Sequence, residues 1–438
     1  MREMKDSGVT WVGKIPSTWE MKTIKQLMVE RIEKNKDLEV NTILSLSAKD
    51  GVTLYNSENH SGNKPREDLS DYKIVRENDI VVNSMNILSG SVGLSAYTGV
   101  VSPVYYIYYP RSDGNVEYFH YIFQCFEFQR SLRGLGNGIL IKETESGGLN
   151  TIRMRIPSQK LGAQEFPYCS RNEQDRIVVA LEASAKRVDS LIANQEAQIE
   201  KLKAYKQSLI TEVVTKGLDP NVPMKDSGIE EIGQVPTHWS IYRAKYIASS
   251  LEKGSGITKE NVLENGDIQC VRYGEIYSKY DGGFSTTCSR TNLSAISSPQ
   301  HINYGDILLA GTGELVEEIG KNIVYLGAEP CLAGGDIIVM RHSQDPVFLN
   351  YAMNSISSQM QKSKGKAKLK VVHISATNIG NVLIALPPIE EQIKIGKYLD
   401  VKCNNIDRLV EIKKQKIEKL NQYKKSLIYE YVTGKKEV

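Results

Sequence analysis

The chain has 438 residues, 40% of them hydrophobic and 24% charged, and 55 Lys and Arg against 52 Asp and Glu give a formal net charge of +3. This is the composition of a folded protein of two or three domains, and its weak positive balance permits an anionic partner without demanding one. A disordered chain is excluded, and so is a membrane-spanning one, because no run of about 18 apolar residues occurs. MREMKDSG at the start lacks the apolar stretch of a signal peptide, and the expected location is cytoplasmic. Six cysteines are scattered without a CxxC pair, which fits a reducing compartment better than a disulfide framework or a zinc site. Tyrosine outnumbers phenylalanine, 23 to 7. An aromatic body with a polar tip suits wet binding surfaces, although solvent-facing strand positions account for most of them.

In chain order, the first feature is the opening MKDSGVTWVGKIPSTWE from Met4. NDIVVNSM from Asn78 and VSPVYYIYYP from Val101 read as short buried strands closed by turn residues. VEYFHYIFQCFEFQRSL from Val116 reads as an amphipathic helix. RGLGNGILIKETESGGLNTIRMRIP from Arg133 is a loop rich in Gly, Asn and cations before another strand. Ser170-Arg-Asn-Glu173 has the pattern of a capping box and opens a long helix. Leu181, Ala185, Val188, Ile192, Gln195, Ile199, Leu202, Lys206, Leu209 and Val213 keep alternating three- and four-residue steps, the seam of a coiled coil. Gly217 and Pro220 stop it.

The chain then repeats itself. MKDSGIEEIGQVPTHWS from Met224 restates the opening, with Gly13/Gly233, Pro16/Pro236 and Trp19/Trp239 in register. GDILLAGTG from Gly305 reads as a strand and FLNYAMNSISSQMQKSK from Phe348 as a helix. KSKGKAKLKVVHISATN from Lys362 carries five lysines within nine residues. Pro387-Pro388-Ile-Glu-Glu391 supplies proline and acid for a first helical turn. A second seam follows at Leu399, Cys403, Ile406, Val410, Lys413, Ile417, Leu420, Lys424, Leu427 and Tyr431, and Asp189 aligns with Asp407. Two matched regions in one order and at nearly one period mean a duplicated module. A helix of about 44 residues reaches about 65 Å. Burying each apolar stripe against its repeat partner makes an antiparallel pair. Gln195/Lys413 and Lys206/Lys424 are polar seam positions that either fix register or snorkel to water at its edge. The middles diverge between copies, so one frame carries two faces with different targets.

Catalytic signatures are missing. GTGELVEEIGKN from Gly311 has too long a Gly spacing for a phosphate loop, and Asn322 follows Lys321 where Ser or Thr is needed. No Rossmann fingerprint, HExxH, GxSxG or aminomethyltransferase Asn/Asp-Pro-Pro-aromatic tetrapeptide occurs. The loops from Arg133 and Lys362 remain. Glycine lets backbone approach a polyanion, Lys and Arg neutralise phosphates, and Asn and Arg read base edges. A solvated surface loop is the competing reading, since charge runs usually face water.

KDSGVTWVGKIPSTWE and KDSGIEEIGQVPTHWS, with SGSVGLSAYTGVVSPVYYIY from Ser89, GDILLAGTGELVEEIGKNIVY and LPPIEEQ from Leu386, resemble the specificity subunit of a Type I restriction–modification enzyme along essentially the whole chain. The resemblance implies an α/β (α+β) fold: two globular target recognition domains (1–165 and 218–386) joined by two long antiparallel coiled-coil helices (166–217 and 387–438), with an internal pseudo-twofold repeat. It implies a chain without catalysis or cofactor of its own. Each domain binds one half of a split double-stranded DNA site, and the helices set the gap. The helices also dock two methyltransferase subunits carrying S-adenosylmethionine, which restriction subunits using ATP and Mg then join. Candidate DNA-binding residues are Asn83, Asn86, Arg133, Asn137 and Lys142 in the first domain, and Arg272, Tyr273, Thr312, Lys364, Lys366, Lys368 and His373 in the second. Glu173, Gln174, Pro388, Glu391 and Gln392 are candidates for the subunit interface. Leu181, Val188, Ile192, Ile199, Leu202 and Leu209, with Leu399, Ile406, Val410, Ile417, Leu420 and Leu427, form the spacer seam.

The first copy departs from LPPIEEQ. It has IPSQKLGAQEFPYCSRNEQDR from Ile156, so its helix start is expected to be remodelled. Trp19 and Trp239 are expected as core anchors. TKGLDPNVP leads from the first helix into the second opening, which makes a nearly circular arrangement the expectation. The alternative to a DNA reader is a coiled-coil adaptor carrying two duplicated protein- or glycan-binding domains. A stand-alone methyltransferase or nuclease is disfavoured by the missing motifs.

Overall fold

The computed structural model describes residues 2–56, 64–139, 153–313, 319–365 and 372–438. They fall into two compact units, residues 1–195 with 415–438, and residues 196–414. The expected spacer helices are present as Arg171–Lys216 and Ile389–Val432. They do not form compact units of their own. Each is shared between the two units, because the apolar stripe of each helix is buried piecewise against the globular part beside it.

In the first unit, Met4–Asp6 and Lys14–Pro16 pair as a hairpin with Met4 opposite Pro16. Gly8 and Gly13 make its turns at φ +72° and +68°, conformations that favour glycine. A four-stranded antiparallel sheet follows, in the order Met28–Glu30, Tyr105–Pro110, Ile80–Asn83 and Val92–Leu94. The strand expected from Val101 is split. Gly99–Val101 pairs with Lys73–Val75, and a turn from Ser102 to Tyr105 precedes Tyr105–Pro110. The expected helix is also split, into Val116–Gln124 and Phe126–Ser131, because Cys125 adopts an extended conformation. Its aromatic face packs edge-to-face, Phe123 and Phe128 each 5.0 Å from Phe166. Leu181, Val188, Leu427 and Tyr431 close the same core. Deleting a buried Phe of this kind costs about 3–5 kcal/mol.

The second unit repeats the frame. Met224–Asp226 pairs with Gln234–Pro236 in the same register. Its main sheet runs Ala248–Lys253, Ile337–His342, Ile307–Ala310, Asn322–Tyr325 and Gly283–Phe284. A second sheet of four strands, with Ile268–Val271 and Cys331–Ala333 at its centre, has no counterpart of that size in the described residues of the first unit. Here too the helix breaks, into Pro346–Asn354 and Ile356–Ser363. Ser355 ends one and caps the next, accepting from the Ser358 N–H, an N-cap inserted in mid-run.

The long helices pair antiparallel within each unit. Lys424 Nζ reaches Asp189 at 2.8 Å in the first, and Lys206 Nζ reaches Asp407 at 2.7 Å in the second. Lys206 and Lys424 are therefore cross-helix partners of aspartates, and Lys413 of Gln198, which favours a fixed register over snorkelling. Burial opposes the charge on Lys206, but Asp407 and Asp281 outweigh it and hold its pKa above the usual lysine value. Seam burial is graded. Leu181, Val188, Ile199, Leu399, Ile406 and Leu427 are buried, whereas Ile192, Leu202, Leu209, Val410, Ile417 and Leu420 are half-buried. Among the described residues no helix is long and apolar enough to cross a membrane.

Candidate nucleic-acid interface

Both units present an edge built by one backbone rule. A buried central strand ends, and the next residue is held by the strand that precedes the closing part of the unit. In the first unit the Ile156 N–H donates to the Ser84 carbonyl at 3.0 Å, and in the second the Ile374 N–H donates to the Gly311 carbonyl at 2.9 Å. Ile156 and Ile374 are buried, so each bond is anchored in a core. The side chains around the two bonds differ.

On the second edge, Thr312 and His373 are cross-strand partners, and Thr312 Oγ1 lies 3.0 Å from His373 Nδ1. The Tyr277 hydroxyl donates to the Thr312 carbonyl at 2.9 Å. Lys321 Nζ stands 6.0 Å from the Tyr277 ring centroid, and Tyr273 is exposed one turn earlier on the short helix Tyr273–Ser278. An exposed tyrosine, with a half-buried second one beside a cation, a hydroxyl and an imidazole, can stack on bases, neutralise phosphate and bond base edges. Tyr277 and Lys321 were not anticipated. Their signal was the i, i+4 spacing from Tyr273 and the cation just before the buried strand Asn322–Tyr325.

On the first edge, Asn86 is exposed before the turn Ile87–Ser89. Arg155 is exposed, and in the backbone ladder it stands opposite Asn137. Arg155 was also missed. Its alternation with Met154 and Ile156 was the available signal. Arg133 is half-buried.

Other candidates turn inward. Asn83 is buried, and its side-chain oxygen accepts the Met85 N–H at 3.0 Å. It shapes the turn and does not face a groove. Arg272 bonds Glu275 through two nitrogens at 3.0 and 3.3 Å. Glu275 is buried and also accepts from Ser289, so Arg272 is committed to neutralising a buried carboxylate. Lys364 is exposed and pairs with Glu231 at 2.9 Å, which raises the Lys364 pKa and lowers that of Glu231. Lys142, Lys366 and Lys368 lie outside the described residues.

Lys362, counted in the sequence only as part of a cationic run, is buried. Its Nζ donates to the Gly320 and Met353 carbonyls at 2.7 and 2.6 Å and lies 3.3 Å from Asn322 Oδ1. Burial pushes its pKa down to about 7, although three acceptors match the three N–H groups of the charged form. Helical period was the missed signal, since Lys362 follows the buried Ser358 by one turn.

Of the residues expected at a subunit interface, Pro388 is exposed, whereas Glu173, Gln174, Glu391 and Gln392 do internal work. Trp19 is buried and its indole N–H donates to Glu173 at 3.0 Å. The Trp239 indole donates to Glu391 at 3.1 Å. Arg2 also reaches Glu173, at 2.5 Å. The Ser170 hydroxyl accepts the Glu173 N–H at 3.4 Å, so half of the expected capping box forms while the carboxylate serves the tryptophan. Gln174 accepts the Asn115 N–H at 2.8 Å and donates to the Cys169 carbonyl at 2.9 Å. Gln392 accepts the Asp345 N–H at 3.0 Å and donates to the Pro387 carbonyl at 2.8 Å. Both glutamines are buried and unavailable to another chain. Each ties the start of a long helix to the N-cap residue, Asn115 or Asp345, of the broken helix beside it. The first helix start is therefore not remodelled. Glu165–Tyr168 pairs with Glu20–Thr23 just as Leu383–Leu386 pairs with Ser240–Arg243, and Cys169-Ser170 stands where Pro387-Pro388 stands.

Among the described residues no group of His, Cys, Asp and Glu is arranged to hold a metal ion. A family model described as the Type I restriction modification DNA specificity domain matches residues 236–422. The Type I restriction enzyme MjaVIII specificity subunit of Methanocaldococcus jannaschii is 25% identical over 56% of this chain, which there spans only 57% of the relative. The putative type I restriction enzyme MjaX specificity subunit of the same organism is 22% identical over 97% of this chain and 95% of its own. A chain from a study of complex assembly and conformational transition in the type I R-M system has a TM-score of 0.68 at 13% identity, covering 95% of this chain and 98% of that one. The HsdS subunit from Thermoanaerobacter tengcongensis has a TM-score of 0.51 at 14% identity, covering 96% and 98%.

Proposed function

We propose that the chain is a specificity subunit of a Type I restriction–modification system, as the family model and the relatives it resembles support, and that it binds a bipartite DNA target, one half per unit, without doing chemistry itself. The observation carrying this reading is the pair of edges at Ser84/Ile156 and Gly311/Ile374, one backbone device presenting different side chains. A duplicated frame with unlike faces is what two unlike half-sites require. On the second edge Thr312, His373, Tyr273, Tyr277 and Lys321 face the duplex. On the first, Asn86, Arg133 and Arg155 do so.

The long helices, 46 and 44 residues, set the separation of the half-sites, which in major-groove readers falls near 34–36 Å or a multiple. Their exposed faces dock two methyltransferase subunits, and restriction subunits join these. S-adenosylmethionine, ATP and Mg belong to those partners. The test is to express the chain with its methyltransferase and map methylated adenines across a genome. A split motif is expected, and exchanging residues 1–165 for those of a relative must change one half and spare the other. Methylation without a split motif, or change in both halves, refutes the reading. Binding by the assembled complex should also weaken steeply as salt rises.

A further inference from the structure

We propose that Lys362 is a positioning residue for base recognition by the second unit, holding the Thr312–His373 edge in register from inside the core. The inference rests on the DNA-reading function proposed above. Lys362 belongs to the short helix Ile356–Ser363 and acts on the edge through the residues between.

The connection can be followed atom by atom. Nζ bonds the Gly320 and Met353 carbonyls and approaches Asn322 Oδ1. On the same helix, Gln359 donates to the Ile319 carbonyl at 3.3 Å. Two side chains of one helix thus fix two successive residues, Ile319 and Gly320, at the start of the strand Asn322–Tyr325. Gly320 has φ +64°, and a Cβ there would sit 3.1 Å from Lys362 Cδ and 3.4 Å from Ile374 Cδ1. The lysine stem, Gly320 and Ile374 are therefore in one close-packed stack. Ile374 follows His373 and bonds Gly311, which precedes Thr312. A displaced Gly320 moves both strands of the edge.

The site is built as a polar network, not a chance burial. Asn322 donates through Nδ2 to the Asn350 carbonyl and side-chain oxygen at 3.0 and 2.8 Å. Asn354 Nδ2 donates to the Asn322 carbonyl at 2.7 Å, and Asn354 Oδ1 accepts the Asn322 N–H at 3.1 Å. Asn322, Asn350 and Lys362 are buried. Among the described residues no carboxylate pairs with Lys362. A buried polar network of this kind has one low-energy arrangement, because moving any member leaves donors or acceptors unmatched. In the first unit the equivalent last-turn carbonyl, that of Phe123, is met by the neutral amide of Gln129 at 2.9 Å. The same frame is thus locked differently beneath each edge, as expected if the lock takes part in what each edge reads.

The test uses the full chain in complex with its methyltransferase and scores the two half-sites separately. Lys362→Met keeps length and removes all donors. Lys362→Gln returns two donors of the kind Gln129 supplies. In the Met variant, discrimination against single-base changes in one half should fall about tenfold, with the other half unchanged to within about twofold, at equal folded fraction and equal assembly. The Gln variant should recover part of the loss. Should the Met variant fail to fold, Gly320→Ala decides, because it presses on the same stack from the other side and must relax the same half. Unchanged discrimination in a folded variant, or equal relaxation of both halves, overturns the proposal. A wild-type complex that methylates no split motif would instead overturn the DNA-reading function itself.

Discussion

Replacing Gln392 with methionine separates two roles for the residues at the helix starts. Methionine matches the length of glutamine but offers no donor and only a weak acceptor. In the native chain Gln392 Oε1 accepts the Asp345 N–H at 3.0 Å, and Nε2 donates to the Pro387 carbonyl at 2.8 Å and to Gln344 Oε1 at 2.9 Å. The substitution leaves two backbone groups without partners in a region where water has little access. An orphaned buried polar group costs about 1–3 kcal/mol, and the lower end applies to the half-buried Asp345. The sum is about 2–4 kcal/mol for the second unit. At about 2–4 °C per kcal/mol for a unit of this size, the melting midpoint should drop by roughly 4–16 °C. Urea unfolding of the isolated chain, followed by circular dichroism, measures the free-energy loss, and a thermal melt the shift in midpoint. Gln174→Met should cost a similar amount in the first unit, since it orphans Asn115 N–H and the Cys169 carbonyl. A stability change below about 0.5 kcal/mol, with assembly lost, would show that these glutamines meet a partner and would refute the internal role.

Three further outcomes are expected. Lys206→Met or Lys424→Met should cost at most about 1 kcal/mol, because the aspartate partners are substantially exposed. A loss well above about 2 kcal/mol in salt-free unfolding would contradict that. Thr312→Ala and His373→Ala should each weaken DNA binding by about 1–3 kcal/mol and relax only the half-site read by the second unit, as scored by methylation mapping. An unchanged motif would remove that edge from the interface. For Lys362, the folded pKa of about 7 lies below the ordinary lysine value of 10.5, so between these values the unfolded chain binds more protons. Stability relative to Lys362→Met should therefore rise with pH across that window, by up to about 1.4 kcal/mol per unit, and be lost as pH falls toward the lower value. A pH-independent difference in urea unfolding would show that burial does not depress this group.

The frame was legible in the sequence because duplication writes its signal twice. The MKDSG hairpins and the heptad seams rest on short-range chemistry: glycine turns, helical period and apolar spacing. The tryptophan anchors show through their repetition, although their carboxylates lie 154 and 152 residues away. The helix breaks at Cys125 and Ser355 were not legible. Each run has a continuous amphipathic period, and only tertiary packing selects the residue that turns extended. Nor could the sequence separate inward from outward polar residues. Asn83, Arg272 and Lys362 have the residue types of a DNA reader, yet Lys362 is claimed by a buried partner 42 residues away, Gly320, Arg272 by the buried Glu275 three residues on, and Asn83 by a local turn. Thr312 and His373 were both chosen, but their pairing depends on a two-residue ladder that periodicity does not reveal.

The tryptophan anchors also make the chain self-reporting. Of its 3 tryptophans, Trp239 belongs to the second unit, and Trp11 and Trp19 to the first. Trp19 and Trp239 are sealed from solvent, each against a carboxylate and beside the glycine that ends a long helix, Gly434 and Gly217 respectively. Removing the other indoles by Trp→Phe exchange would leave an emission spectrum that follows one half of the molecule alone. Red-shifting of that single fluorophore during denaturation would then time the melting of each half without any added dye.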